Sequence, residues 1–226
     1  MSARRRVQRS QEREGMPSMR QTSLSDLRVA VDVQHLYKPG QPNDHGAKFR
    51  LGDGTSVTEA QGTLIYAHAL TDWLRWRGAT VLANDPVRGV FVGTYGQRNR
   101  AAWSWGAHLY LACHLNAGGG SYALCEYMKG RPGETVAKEI LLCLTSGFPE
   151  ITTGRILELN PGQRGEVCVR GCDTLAPALI LEPFFGDTPA HQPLLSVLEL
   201  ALLGRTIGRG ISEWWLDLRL AKLAHA

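Results

Sequence analysis

The 226-residue chain has no run of the roughly 18 to 20 apolar residues that a membrane-spanning helix requires, which excludes such a span on sequence grounds. It also has no apolar stretch behind its N-terminal arginines, so no secretory signal peptide is expected. An excess of one charge is nearly missing too. Six of the 25 basic residues (Arg4, Arg5, Arg6, Arg9, Arg13, Arg20) and two of the 21 acidic ones (Glu12, Glu14) fall in the first 20 positions, leaving 19 of each sign behind them. The net +4 therefore belongs to one end, and a neutral body disfavours a basic groove for nucleic acid. Cysteine is sparse and odd in number: Cys113, Cys125, Cys143, Cys168 and Cys172 lie mostly inside apolar runs, which reads as free buried thiols rather than a disulfide framework. Cys168 and Cys172 are not accompanied by a second Cys/His pair at zinc-finger spacing, so a metal finger is rejected. No internal repeat and no second domain is visible.

What is present is 43% apolar residues, enough for one sizeable core. Residues 1–26, rich in Arg, Gln, Ser and Glu without hydrophobic periodicity, read as a disordered basic tail, and 27–226 as one folded domain. Strands are expected at Arg28 to Gln34, Ala79 to Ala83, His108 to Leu115, Tyr122 to Met128, Glu166 to Arg170 and Ala178 to Glu182. Helices are expected at Glu59 to Arg77, Gln97 to Gly106, Pro132 to Ser146 and, for the most part, Pro193 to Leu223, with a long surface loop over 36–58. Trp214 and Trp215 fall in the last helix, which closes the domain. Strands alternating with helices predict an α/β fold: a twisted, mostly parallel central sheet with helices on both faces in a single domain.

Three expected strands lead into polar residues able to do chemistry, namely His35, His114 and Glu182. In open α/β sheets functional groups gather beyond the carboxyl ends of parallel strands, so these three belong on one edge. Glu59 opens the first helix directly after the long loop leaving His35 and can fold over that edge. Taken singly, each has a plainer explanation: a structural histidine, or a carboxylate favoured by a helix dipole. Glu182 is more telling, because a carboxylate directly after Ala-Leu-Ile-Leu is costly to bury without a partner. Together the four match a hydrolytic zinc site, with two imidazoles and one carboxylate as ligands and a second carboxylate as general base. His45, His68, His191 and His225 have no such placement and are assigned to loop, helix surface or tail.

The blocks Val29-Ala30-Val31-Asp32-Val33-Gln34-His35, Thr58-Glu59-Ala60, Cys113-His114-Leu115-Asn116-Ala117 and Pro177-Ala178-Leu179-Ile180-Leu181-Glu182-Pro183 resemble, in this order, those of the zinc-dependent N-acetylmuramoyl-L-alanine amidases of bacterial cell-wall hydrolases and phage endolysins (amidase type 3). The likeness extends to Leu70, Leu74 and Gly78 after the second block and to Arg98 and Ala102 ahead of the third. The resemblance spans about residues 28 to 215. The chain departs from the family at Leu36-Tyr37, where the family has Gly-Gly, at His108, where it has Asp, and at Ala83-Asn84, where it has Thr-Arg. The resemblance implies Zn2+ held by His35, Glu59 and His114, with Glu182 as the catalytic residue and Asn116 as a substrate-binding one. The implied reaction is cleavage of the amide between N-acetylmuramic acid and L-alanine in peptidoglycan. Asp32 is expected to be a structural hydrogen-bonder. The other readings are a zinc peptidase acting on the stem peptide, a non-catalytic peptidoglycan-binding module, and a nucleic-acid-associated protein using the arginine tail. Without a sorting signal, the expected course is synthesis in the cytoplasm and action at the wall after release, as for a phage endolysin. The basic tail would add weak electrostatic attachment to an anionic wall or membrane.

Overall fold

The computed structural model describes residues 23–37, 40–41, 43–170 and 176–224. Residues 1–22 of the expected tail, Cys172 and His225 lie outside the described residues. The chain runs β1 (Arg28–Val33), β2 (Lys48–Arg50), β3 (Ser56–Thr58), α1 (Glu59–Trp76), β4 (Thr80–Ala83), α2 (Tyr95–Ser104) and β5 (Leu109–Cys113). It continues through β6 (Tyr122–Met128), α3 (Glu134–Gly147), β7 (Thr153–Leu159), α4 (Glu166–Val169) and β8 (Ala178–Glu182) to a 3-10 helix (Pro189–Leu195) and α5 (Val197–Ala224). Six strands form one sheet in the order β4-β1-β5-β8-β6-β7, and β2 pairs with β3 in a separate hairpin. β4, β1, β5 and β8 run parallel, whereas β6 lies antiparallel to β8 and carries β7 with it in the reversed direction.

The period of two in the strands sorts the core into two layers. Val29, Val31, Val33, Leu109 and Leu111 face one way and pack with Tyr66 and Leu70 of α1, Ile140 of α3, and Leu203 and Ile207 of α5. Ala30, Tyr110, Ala112 and Ile180 face the other way and meet Phe91, Ala102 of α2 and Val169 of α4. Helices thus cover both faces of a mostly parallel sheet, as expected. β5 sits mid-sheet, and its Leu-Tyr-Leu-Ala-Cys run is buried throughout. Cys113, Cys125, Cys143 and Cys168 are all free thiols, three of them buried and Cys143 partly so. No helix among the described residues is long and apolar enough to cross a membrane.

α1 starts where the sequence signals it. Thr58 and Gln61 form a reciprocal capping box that satisfies two backbone donors of the first turn. α1 lies so close to α5 that a Cβ added at Gly204 would stand 2.1 Å from the Tyr66 carbonyl oxygen and 2.8 Å from the Leu70 nitrogen. Trp214 and Trp215 are buried, consistent with a closing helix. The chain before β1 is fixed to that helix, with Asp26 accepting from Trp215 Nε1 at 3.2 Å.

Several local expectations are corrected. Glu166 to Arg170 is a helical turn, not a strand: the i,i+4 spacing lets Arg170 Nη1 reach Glu166 Oε1 at 2.8 Å, while Cys168 and Val169 turn into the core. β7 was not expected, because it is an edge strand in which only Leu159 is buried, so no apolar alternation marks it. The 36–58 loop contains the β2-β3 hairpin. His191, assigned to a loop, helix surface or tail, is fully buried in the 3-10 helix, where its Nε2 bonds the Glu150 carbonyl at 2.9 Å.

The α1-α5 contact gives a prediction in which two effects oppose each other. Gly204→Ala gains about 1 kcal/mol of helix propensity, but a Cβ buried against backbone costs more, up to about 3 kcal/mol of overpacking. A lower urea midpoint is expected. A raised one would show that the helices do not pack this closely.

Candidate metal centre and catalytic groove

The residues beyond β1 are held by a buried ion pair. Asp32 and Arg98 are both fully buried, with Arg98 Nη1 donating to Asp32 Oδ1 at 2.9 Å. Tyr110 Oη donates to Asp32 Oδ2 at 2.7 Å and Asn84 Nδ2 to Oδ1 at 3.1 Å, so the carboxylate is well satisfied. Asp32 is thus a structural hydrogen-bonder. Arg98 also donates to the carbonyls of Gly93 at 3.0 Å, Val33 at 3.3 Å and Leu36. Two of these carbonyls flank His35 in sequence, so the guanidinium shapes the turn that presents it.

His35, Glu59 and His114 converge at the carboxyl ends of β1 and β5. One ligand atom from each lies within 4.8 Å of the others. His114 Nδ1 is 2.9 Å and His35 Nε2 3.2 Å from Glu59 Oε1. Ligands at about 2.1 Å around a tetrahedral ion are spaced by about 3.4 Å, so the three atoms need little movement to share one divalent cation. The nitrogen of each imidazole away from the cluster is also engaged. His35 Nδ1 faces Asp44 Oδ1 at 3.3 Å, and His114 Nε2 faces Gln34 Oε1 at 3.1 Å. An acceptor on the outer nitrogen fixes the tautomer that leaves the inner nitrogen free for a metal. Gln34, fully buried, is itself held by a 2.9 Å bond from its Nε2 to Tyr110 Oη. The donor set and its outer partners fit a bound divalent metal.

Glu59 is placed by the start of α1 and by the loop before it. Its Oε2 accepts from Ala47 N at 3.0 Å, and its Oε1 from Leu115 N at 3.2 Å. Gly46, at φ 71°, is required here, since a Cβ would lie 2.4 Å from Glu59 Oε2. Burial pushes the Glu59 carboxyl up, but the bonds from His114 and His35 outweigh it and hold the group well below the usual carboxylate range. Burial likewise pushes His35 down, while the Glu59 carboxylate more than restores it, leaving it raised.

Glu182, at the end of β8, lines the same cavity of about 900 Å³ as the three ligand candidates. Burial first, then the Glu126 and Glu59 carboxylates, raise its pKa from 4.5 to about 7, against the opposing pull of Arg164. Glu126 stands on β6, opposite Ile180, and burial raises its carboxyl too. It was missed in the sequence because its position follows from the reversed direction of β6. Asn116 lines the cavity as well, but its Oδ1 accepts from Ala117 N at 2.8 Å and its backbone bonds Phe184 and Gly186, so it orders the loop beyond His114. Asp44 and Gln34 were also missed; neither has a spacing signal. Of the remaining histidines, His68 is exposed on α1 and His45 in the loop before β2.

The fold recurs in solved structures. It matches N-acetylmuramoyl-L-alanine amidase AmiC2 of Nostoc punctiforme with a TM-score of 0.66 at 17% identity, over 84% of this chain and 97% of that one. The chain has the amidase fold. It also matches Cwp6 from Clostridium difficile with a TM-score of 0.66 at 22% identity, covering 83% of this chain but only 29% of Cwp6. The catalytic domain of the CD27L endolysin targeting Clostridia difficile shares the amidase fold with a TM-score of 0.53 at 18% identity, over 83% of this chain and 97% of that one. No protein-family model matches the chain, and no curated protein matches it in sequence.

Two predictions follow from the site's electrostatics and outer partners. The folded state raises the pKa of Glu182 and so favours its protonated form. In metal-free protein, the stability of the wild type relative to Glu182→Gln is therefore full below its ordinary value of 4.5 and is lost as pH rises through about 7. The loss reaches on the order of 3 kcal/mol by about pH 8. A difference that stays flat across this window in urea titrations would contradict the raised pKa. Gln34→Leu, which removes the outer acceptor of His114, should weaken Zn2+ binding about 10- to 100-fold in a chelator competition. Unchanged affinity would show that Gln34 does not position the ligand.

Proposed function

We propose that the chain is a zinc-dependent N-acetylmuramoyl-L-alanine amidase that hydrolyses the amide joining N-acetylmuramic acid to L-alanine in peptidoglycan. The observation carrying this reading is the convergence of His35, Glu59 and His114 with the Glu182 carboxylate on one cavity, in the fold of known amidases. His35 Nε2, Glu59 Oε1 and His114 Nδ1 would hold the zinc. Bound there, the ion supplies Lewis-acid polarisation of the scissile carbonyl and of the attacking water.

The chain's own groups do the rest. Glu182 accepts the proton of the attacking water and delivers it to the nitrogen of the departing L-alanine, so one carboxyl acts as base and then as acid. No hydrogen bond or ion pair to the Glu182 carboxylate is present among the described residues, which leaves both of its oxygens available. Its partly buried position keeps its pKa close to neutral, where both transfers are feasible. Asn116 holds the loop beside the site and offers its side-chain amide to substrate. Action at the cell wall after release, in a phage lysis system, is part of the proposal and is supported by the likeness to the CD27L catalytic domain. The six arginines of the first 20 residues would add long-range attraction to an anionic wall.

The test is mass spectrometry of the fragments released from sacculi. Wild type should release free stem peptides beginning with L-alanine, and a chelator should abolish the release. Glu182→Ala should keep stoichiometric zinc and lose activity by about 10²- to 10⁴-fold, whereas His35→Ala should lose both metal and activity. Fragments cut within the stem peptide would make the protein a peptidase. Binding without any cleavage would make it a wall-binding module.

A further inference from the structure

The groove does not end at Glu182. The sheet order places β1 and β5 with the three ligand candidates, then β8 with Glu182, then β6 with Glu126, and finally β7. The cavity follows that order and ends against Leu157 and Leu159 of β7 and the loop residues Gln163, Arg164 and Gly165. With strands spaced by about 4.8 Å, its far wall stands roughly 10 Å from β8. That distance is about three residues of extended peptide.

The loop bearing Arg164 is a built turn. Gln163 Oε1 accepts from Asn160 N, Gln163 N donates to the Asn160 carbonyl at 3.1 Å, and Glu166 N donates to the Gln163 carbonyl at 3.2 Å. Gly165, at φ 92°, lies so close to β6 that a Cβ there would be 3.3 Å from Glu126 Oε2. Arg164 is thereby fixed beside the two carboxylates, and its charge acts on both of them. Yet it remains exposed and forms no ion pair with either. A guanidinium on a fixed backbone at the end of a substrate groove, with no partner among the described residues, is open to an anionic group.

We propose that Arg164 is a specificity residue that binds a carboxylate of the stem peptide on the leaving-group side of the cut. The assignment rests on the amidase reading for its polarity. Glu182 must give its proton to the departing nitrogen, so the peptide leaves across Glu182, toward β6 and β7, and the glycan lies on the other side. Near the scissile bond the glycan carries no charge, because the lactyl carboxyl is consumed in the amide. The anionic groups within reach therefore belong to the peptide. Arg164 selects peptides whose second residue keeps a free carboxylate over those in which it is amidated.

The experiment uses the full-length, zinc-loaded protein and two soluble probes, L-alanyl-γ-D-glutamyl-L-lysine and the same peptide with the glutamyl α-carboxyl converted to carboxamide. By titration calorimetry the wild type should bind the acid about tenfold more tightly than the amide. Arg164→Gln should bind both alike, at the level of the amide, and Arg164→Lys should recover part of the preference. In turnover of the matching muropeptides, the wild-type preference should appear in KM and vanish in Arg164→Gln. A wild type that does not discriminate would overturn the proposal. So would an Arg164→Gln enzyme that loses kcat by the same factor on both substrates, since Arg164 would then act only on Glu126 and Glu182. If the wild type cuts neither muropeptide, the amidase reading fails, and the ratio of peptide affinities still decides the role of Arg164.

Discussion

The buried pair of Asp32 and Arg98 is the constraint on which the site depends. A lone carboxylate or guanidinium in this interior would be untenable, and a buried pair that loses one member typically costs several kcal/mol. Asp32 meets this cost with three donors, from Arg98, Tyr110 and Asn84. Arg98 then has donors to spare for the carbonyls on either side of His35. One arginine on α2 thus joins the end of β1, the turn at the first histidine and the loop before α2. The same Tyr110 hydroxyl that bonds Asp32 accepts from Gln34, and Gln34 in turn accepts from the second histidine. Both imidazoles are tied to a single polar cluster beneath the sheet edge.

Above that cluster, the chemistry depends on contrast between carboxylates. Glu59 is surrounded by donors, two imidazoles and two backbone amides, and is held as an anion. Glu182 has the opposite surroundings: burial, two like charges and no donor among the described residues, so it accepts a proton readily near neutrality. Groups of one type are pushed apart in pKa by environment alone, which is how one becomes suited to hold a cation and the other to move protons.

Much of this was legible in the sequence, and the reasons are specific. His35, His114 and Glu182 could be joined because parallel strands deliver their carboxyl ends to one edge. Glu59 could be joined because it opens the first helix directly after the long loop leaving His35. Other residues carried no such mark. Asp44 reaches His35 only through the fold of a long loop. Glu126 reaches the groove because β6 runs against β8, a direction that periodicity does not report. β7 escaped because an edge strand with one buried side chain has no alternation to read. The Glu166 to Arg170 segment, with Val167 and Val169 β-branched, reads like a short strand, yet the positive φ of Gly165 and the close approach to β6 turn it into helix. Asn84, where the resembled family has a different residue, proves to be a partner of both Asp32 and the Val33 amide.

The close seating of α1 on Gly204 has a mechanical meaning. Glu59 is the first residue of an 18-residue helix, so axial travel of that helix is passed on to its carboxylate. One residue of travel is about 1.5 Å, enough to pull an oxygen out of a shared coordination sphere. Gly204 lies under the Tyr66 carbonyl about two turns from that end, where the absence of a side chain lets the two helices seat backbone to backbone. The reach of Glu59 is thus calibrated on the far side of the helix, by a residue with no side chain.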